Sequence, residues 1–163
     1  MIQDTIVAIS TATTLGAISI VRMSGVEAVG FANQLVDKDL EKKESHTITY
    51  GHVVEPQTDR IIDEVLVSIF LAPKTYTTED IVEINCHGGF VVAQRIVELL
   101  ISLGARLANP GEFTQRAFIH GRIDLIQAEA VNDLIMAQSN QAAQLAINTM
   151  SGTLKEVLET LMD

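Results

Sequence analysis

The sequence predicts an α+β fold: a mixed β-sheet of about five strands with helices, followed by a long C-terminal α-helix. Three observations support this fold class. Short β-branched runs alternate with helical patterns over residues 1–118, and residues 119–163 contain no proline and have helical spacing. Apolar residues make up 47% of the 163 residues and charged residues 20%, which is a globular composition. A chain of this length can bury a core without disulfides or metals.

Five segments have the alternation or the β-branched content of strands. They are residues 5–10, 17–23, 46–55, 61–71 and 80–86. The third and fourth are separated by a turn at residues 56–60 and are predicted to form a hairpin. Residues 106–108 are a candidate for one further short strand.

Helices are predicted from capping residues and from a 3.6-residue apolar period. Ser24 with Glu27 has the spacing of a capping box for a helix over residues 26–36, and the charged residues 37–44 after it are predicted to form a solvated loop. A second helix is predicted over residues 90–103, ended by Gly104. Asn109 and Asp124 are both predicted to cap helix starts.

From Asp124 to the last residue the apolar positions keep helical spacing, which predicts one helix of about 38 residues, long for a compact domain. The alternative is a helical hairpin broken near Gly152. A long apolar stripe needs a partner, which is either another subunit or the rest of a larger protein. We favour the larger protein, with one domain at residues 1–119 and a helical segment at residues 120–163.

Composition and motifs exclude several classes of function. The chain has 11 Lys+Arg and 21 Asp+Glu, a net charge of −10, which disfavours non-specific nucleic-acid binding. Cys86 is the single cysteine, so no intrachain disulfide is possible, which fits a protein of the reducing cytosol. The sequence shows no secretory signal, no apolar run long enough to span a membrane, no phosphate-loop motif, no G-x-S-x-G and no H-E-x-x-H. We therefore expect a cytoplasmic protein without membrane association.

Two residues are candidates for ligand binding on their chemistry alone. Glu79 lies in a loop between two predicted strands, where its carboxylate could accept paired N–H donors of a flat heterocycle. The alternative is a solvated charge beside a strand. Arg22 lies in an apolar strand and must face water or find acceptors, such as an anion or a carboxylate. The alternative is an exposed strand face.

The segment Cys86-His87-Gly88-Gly89 could suggest a nucleophile with its base. Adjacent residues of a strand point to opposite faces, however, so we expect Cys86 to be a small buried hydrophobic residue. The two glycines are expected to let the chain turn from strand to helix, and no metal site is expected. Arg116 and Arg122 lie at a helix–turn–helix junction, where the alternative to ligand binding is pairing with local acids.

Several long strings in the same order resemble the MnmE (TrmE) family of tRNA-modification GTPases. They are DTIVAIST at residues 4–11, GAISIVR at 16–22, EDIVEINCHGG at 79–89, PGEFTQRAF at 110–118, GRIDL at 121–125, QAEA at 127–130 and DLI at 133–135. The resemblance covers essentially all 163 residues. Several strings in the right order are far more specific than one short motif.

The resemblance implies a larger protein in which a folate-binding, aminomethyltransferase-like domain also forms the homodimer. A helical domain interrupted by a GTPase domain follows, and the family ends in a cysteine motif to which Cys86 does not correspond. This chain resembles the folate-binding domain and the first helical segment. GTP, Mg²⁺ and K⁺ would bind only in the GTPase domain, so this chain is not expected to hydrolyse GTP.

The family implies a function in installing the carboxymethylaminomethyl group at carbon five of the wobble uridine of certain tRNAs. It works with the flavin-dependent partner MnmG (GidA), and tRNA binds the full complex. The resemblance implies that 5-formyltetrahydrofolate or methylenetetrahydrofolate binds at Arg22, Glu79 and Arg122, the last being Lys or Arg in the family. Which arginine meets which end of the folate stays open.

Two alternatives of different classes remain at this point. The chain could be a structural protein-interaction module that docks a partner through its acidic surface and long helix. It could also be a stand-alone folate-dependent one-carbon transferase, although Glu79 and His87 are the only candidate bases that stand out.

Overall fold

The computed structural model describes residues 4–12 and 16–152. The chain divides between Pro110 and Gly111 into two compact units. The domain boundary predicted at residues 119–120 stays a prediction, since a compact unit need not be a domain of the family.

The first unit is built on a six-stranded sheet in the order β3-β4-β5-β2-β1-β6. The strands are β1 (Ile6–Ile9), β2 (Ile18–Ser24), β3 (Thr47–Glu55), β4 (Arg60–Phe70), β5 (Ile81–His87) and β6 (Arg106–Leu107). The pair β1–β6 is parallel and the other described pairs are antiparallel. The predicted mixed α+β architecture is confirmed, with the candidate short strand as the sixth member.

Two helices, α1 (Ala28–Leu35) and α2 (Phe90–Ser102), cover one face of this sheet. Strand residues at alternate positions, such as Val21 and Met23, are fully buried in the shared core. Ile18, Ile20 and Arg22 occupy the alternate positions of β2 and belong to the other face, because successive side chains of a strand point to opposite sides. The core thus lies on one side of the sheet, and Arg22, a candidate ligand-binding residue, lies on the other.

The predicted cap of α1 is wrong. Glu27 occupies the N-cap position and makes no side-chain capping bond. Ser24 is instead the last residue of β2, and its hydroxyl bonds Thr77 and Glu79. The loop predicted at residues 37–44 is also less solvated than expected, since Leu40 is fully buried.

The second unit contains three helices, α3 (Glu112–Ile119), α4 (Leu125–Met136) and α5 (Asn140–Met150). The start predicted at Asp124 is confirmed, because its carboxylate accepts the Gln127 backbone N–H at 2.8 Å and the Gln127 side chain accepts the Asp124 N–H at 2.9 Å. The cap predicted for α3 is wrong: Gly111, with φ of 76°, stands at the N-cap rather than Asn109.

After Asp124 the described residues form two helices and not the single long helix that the sequence predicts. Ala137 adopts an extended backbone, and the Ser139 hydroxyl caps a new helix by accepting the Ala142 N–H at 3.2 Å. Gln127 at the start of α4 donates to the Met150 carbonyl at the end of α5 at 2.8 Å, so the two helices form a hairpin. The alternative of a hairpin put the break near Gly152, but the observed break lies earlier, between Met136 and Asn140. Residues 153–163 lie outside the described part.

None of the helices in the described ranges combines the length and the apolar character that crossing a bilayer would need.

Candidate functional site

The candidate site is built around Glu79, at the end of the loop that joins β4 to β5. This loop runs beside the end of β2, so Glu79 lies next to Ser24 although 55 residues separate them in the chain. The Ser24 hydroxyl donates to Oε2 of Glu79 at 2.7 Å. The end of a strand and a loop that is distant in sequence therefore meet at this carboxylate.

A continuous chain of hydrogen bonds fixes the Glu79 side chain. The Glu79 backbone N–H donates to Thr77 Oγ1 at 3.3 Å, and the Thr77 and Ser24 hydroxyl oxygens are 2.6 Å apart. Each hydroxyl has one proton to donate. Because Ser24 gives its proton to the carboxylate, Thr77 must donate to Ser24. Thr77 and Ser24 are fully buried, so water does not compete for these bonds.

The loop that carries Glu79 is itself held by polar contacts. The Thr75 hydroxyl donates to the Glu79 carbonyl at 2.6 Å, and Asp80 Oδ1 accepts the Ala72 N–H at 2.8 Å. Thr78 has a φ of +64°, which is unusual for a β-branched residue. Strained backbone of this kind is concentrated at ligand clamps and active sites. The loop is thus a positioned element and Asp80 is not a merely solvated charge.

Arg22 lies two residues before Ser24 on the same face of β2. It stands opposite Glu83 of β5, and its Nε and Nη2 donate to Glu83 Oε1 at 2.7 and 2.6 Å. The side chains of Arg22 and Glu83 are 31% and 19% exposed, so the pair is half-buried and still reachable. The structure therefore brings Arg22 to the sheet face that holds the Ser24–Glu79 contact.

Arg122 belongs to the second unit and is exposed in the turn between α3 and α4. Its backbone N–H donates to the Ala117 carbonyl at 2.9 Å. Arg116, the other cation of this junction, forms a buried ion pair with Glu112 at 3.3 Å. The local pairing considered for Arg116 is thus confirmed.

Cys86 and His87 do not form a catalytic pair. Cys86 is buried in the core, and its thiol donates to the Ser19 carbonyl at 3.4 Å. His87 is exposed, and its Nδ1 lies 2.7 Å from Asp63 Oδ1. Burial, together with the charge of Asp63, raises the pKa of the Cys86 thiol to about 11. Because the thiolate is the reactive form of cysteine, Cys86 is a structural residue.

We expect iodoacetamide to leave Cys86 unmodified in the folded protein at pH 8, where a pKa about three units higher leaves about 0.1% thiolate. In denaturant the same cysteine should react at the rate of a small thiol. Mass spectrometry of the native and unfolded protein measures both rates. Equal rates in the two states would contradict the burial of Cys86.

Ser24, Thr77 and Glu83 contribute to the site and were missed by sequence reasoning. The sequence pattern predicts a helix cap at Ser24 and gives no local signal for Thr77 or Glu83. The period of two along β2 could have shown that Arg22 and Ser24 share a face, but it could not have identified their partners. Within the described residues, no group of three or more His, Cys, Asp or Glu could hold a metal ion.

The chain matches the family model described as "GTP-binding protein TrmE N-terminus" over residues 5–122. The chain belongs to this TrmE N-terminus family. Arg22, Glu79 and Arg122 all lie within the matched residues. The resemblance inferred from the sequence strings is therefore confirmed.

Curated relatives similar to this chain share one name. The chain is 57% identical over 159 residues to "tRNA modification GTPase MnmE" of Lacticaseibacillus paracasei, covering 97% of this chain and 34% of the relative. The same name is carried by a protein of Lactobacillus delbrueckii subsp. bulgaricus, 58% identical over 97% of this chain and 34% of the relative. The protein of Bacillus licheniformis is 54% identical over 98% of this chain and 36% of the relative. The chain thus spans about a third of the length of the TrmE relatives it matches.

Proposed function

We propose that this chain is the tetrahydrofolate-binding and dimerisation portion of a tRNA-modifying GTPase. In this proposal the whole protein works with MnmG to install the carboxymethylaminomethyl group at carbon five of the wobble uridine. Membership of the TrmE N-terminus family supports the proposal. The observation that carries it is the Glu79 carboxylate, held by Ser24 and Thr77 at the end of the sheet.

The chemistry of this site fits the pterin ring of a folate. A pterin presents an amino group and a ring N–H side by side, and a carboxylate can accept both in a directional, charge-assisted contact. Glu79 is suited to this contact because its orientation is set before the ligand arrives. When bound, the folate supplies the one-carbon unit, and the chain's own residues bind and orient it.

Following the family resemblance, Arg22 and Arg122 are further proposed folate-binding residues, each for a carbonyl or carboxylate group of the ligand. Guanidinium groups suit these acceptors because their planar N–H donors match carboxylate geometry. Arg22 is already oriented by Glu83.

The other partners of the proposal belong to the whole protein. GTP, Mg²⁺ and K⁺ would bind to a GTPase domain outside this chain, and tRNA would bind through the full complex. The net charge of −10 supports placing most phosphate contacts elsewhere. The homodimer is proposed to form through this N-terminal portion.

Titration of the 163-residue chain with 5-formyltetrahydrofolate in a calorimeter tests the proposal. We expect saturable binding of one folate per chain and no release of phosphate from GTP by the same preparation. p-Aminobenzoylglutamate, which lacks the pterin, should bind far more weakly because it makes no contact with Glu79. Absence of folate binding, or equal binding of the two compounds, would contradict the proposal.

A further inference from the structure

A cavity lies on the same sheet face as Arg22, at the other end of the strands. It has a volume of about 390 Å³, within the range of small ligand pockets. Ala17, Ile18 and Leu66 contribute apolar side chains to its wall. Its polar side chains come from Tyr50, Glu64, Asn85 and His87.

Strand register explains why these residues meet. Tyr50 of β3 stands opposite Leu66 of β4, and Leu66 stands opposite Asn85 of β5. His87 of β5 stands opposite Ile18 of β2. Along β5, His87 is six residues from Ile81, the partner of Ser24, a separation of about 20 Å at 3.3 Å per residue. The cavity is therefore distinct from the site around Glu79.

The polar groups of the cavity present hydrogen-bond acceptors. Asn85 uses its amide N–H to donate to the Leu66 carbonyl at 3.1 Å, which leaves its Oδ1 to accept from a ligand. Asp63 binds both the backbone N–H and Nδ1 of His87 at 2.7 Å. Because the Asp63 carboxylate accepts, Nδ1 of His87 carries a proton, and in the neutral form of the ring Nε2 is then an acceptor.

Glu64 adds a negative charge to these acceptors. The Tyr50 hydroxyl bonds to Glu64, and this contact raises the pKa of Tyr50, so the phenol stays protonated and donates its proton to the carboxylate. A carboxylate has about four acceptor positions, and one phenol fills one of them. Among the described residues that line the cavity there is no lysine or arginine.

We infer that this cavity binds an arginine side chain presented by a partner protein. The guanidinium has five N–H donors and no acceptor, which complements Glu64, Asn85 Oδ1 and His87 Nε2. The apolar stem of the arginine lies along Ile18 and Leu66, which are 63% and 47% exposed in this chain. The ring of Tyr50 lines the cavity and is 52% exposed, which leaves aromatic surface for contact with the cation.

The cavity favours arginine over lysine because the N–H donors of a guanidinium lie in one plane at fixed positions. The ammonium of lysine is strongly hydrated and has three donors at one point, so it cannot reach acceptors spread over β4 and β5 together. A neutral ligand of the same shape would make the hydrogen bonds without the attraction to Glu64.

Three capped tripeptides test the inference on the full 163-residue chain: acetyl-Ala-Arg-Ala-amide and its citrulline and lysine counterparts. Amide NMR shifts are followed at Ile18, Leu66, Asn85 and His87. We expect saturable shifts confined to these residues with the arginine peptide. Binding should be about tenfold weaker with citrulline, its neutral isostere, and weaker with lysine.

A matched pair of variants separates the cavity from general attraction to an acidic protein. Glu64→Gln removes the charge but keeps an acceptor for Tyr50, and we expect it to weaken the arginine peptide by about five- to tenfold. Glu41→Gln, at an exposed site in the 37–44 loop, should have no effect. Equal affinities in the two variants, equal binding of citrulline or lysine, or shifts spread over the acidic surface would overturn the inference.

Discussion

Replacing Glu79 with glutamine is expected to weaken the binding of 5-formyltetrahydrofolate by about ten- to a hundredfold. Hydrogen bonds to charged groups contribute about 1.5–3 kcal/mol each, and every 1.4 kcal/mol corresponds to about a tenfold change in affinity. Glutamine keeps the size of the side chain but replaces one acceptor oxygen with an N–H donor, which faces the N–H donors of the pterin. Calorimetric titration of both proteins measures the difference.

Two further variants place this effect at the site. Ser24→Ala removes the hydroxyl that donates to Glu79 and should weaken folate binding by less than Glu79→Gln, because the carboxylate remains but is no longer held. Glu44→Gln changes an exposed carboxylate in the charged 37–44 loop and should leave the affinity unchanged. Equal folate affinity in wild type and Glu79→Gln would remove Glu79 from the site.

Gly88→Ala is expected to destabilise the fold by about 3 kcal/mol or more, through overpacking. A Cβ at this position would lie 1.9 Å from the Gly16 carbonyl oxygen and 2.6 Å from the Ile18 backbone nitrogen. Both are backbone atoms, so no side chain can rotate away. For a chain of this size the loss corresponds to a fall in Tm of about 10 °C. Thermal unfolding followed by circular dichroism measures it.

The adjacent Gly89 is the matched control for this variant. A Cβ there would have its nearest neighbour at 4.0 Å, in the side chain of Val92, and its backbone φ of −104° suits any residue. Alanine is only a poorer N-cap than glycine for α2, so Gly89→Ala should change stability by about 1 kcal/mol or less. Equal Tm values for the two variants would show that Gly88 is not in close contact with the backbone at Gly16.

The strands were predictable because their pattern is local. One buried face gives β2 and β4 an alternation of apolar and polar residues that can be read without knowing their neighbours. Antiparallel pairing of β3 with β4 follows from the short turn between them. The parallel pair β1–β6 joins residues about 100 positions apart, and no local pattern specifies it.

The partners in the site were not predictable for the same reason. Ser24 and Thr77 are 53 residues apart, and Arg22 and Glu83 are 61 apart. Ser24 and Glu27 also fit a capping box, so a local motif gave the wrong role to a residue whose real partners are distant. Residue chemistry and the family resemblance both pointed to Arg22 and Glu79, and the contacts of Ser24 and Thr77 explain how Glu79 is held.

The break between α4 and α5 was missed because helical periodicity continues across it. The connection is three residues long, at residues 137–139, so the apolar positions on either side stay close to one helical register. Ser139 is a good N-cap residue and was the one local signal of a new helix.

The most direct test of the folate site is the map of amide NMR shifts on adding 5-formyltetrahydrofolate to the wild-type chain. We predict that the largest changes occur at Ser24 and at residues 77–80, where the hydrogen bonds that hold Glu79 lie. The amides of Ile18 and His87, at the opposite end of the sheet face, should change little. Changes centred on Ile18 and His87, or none at Ser24 and Glu79, would contradict the account.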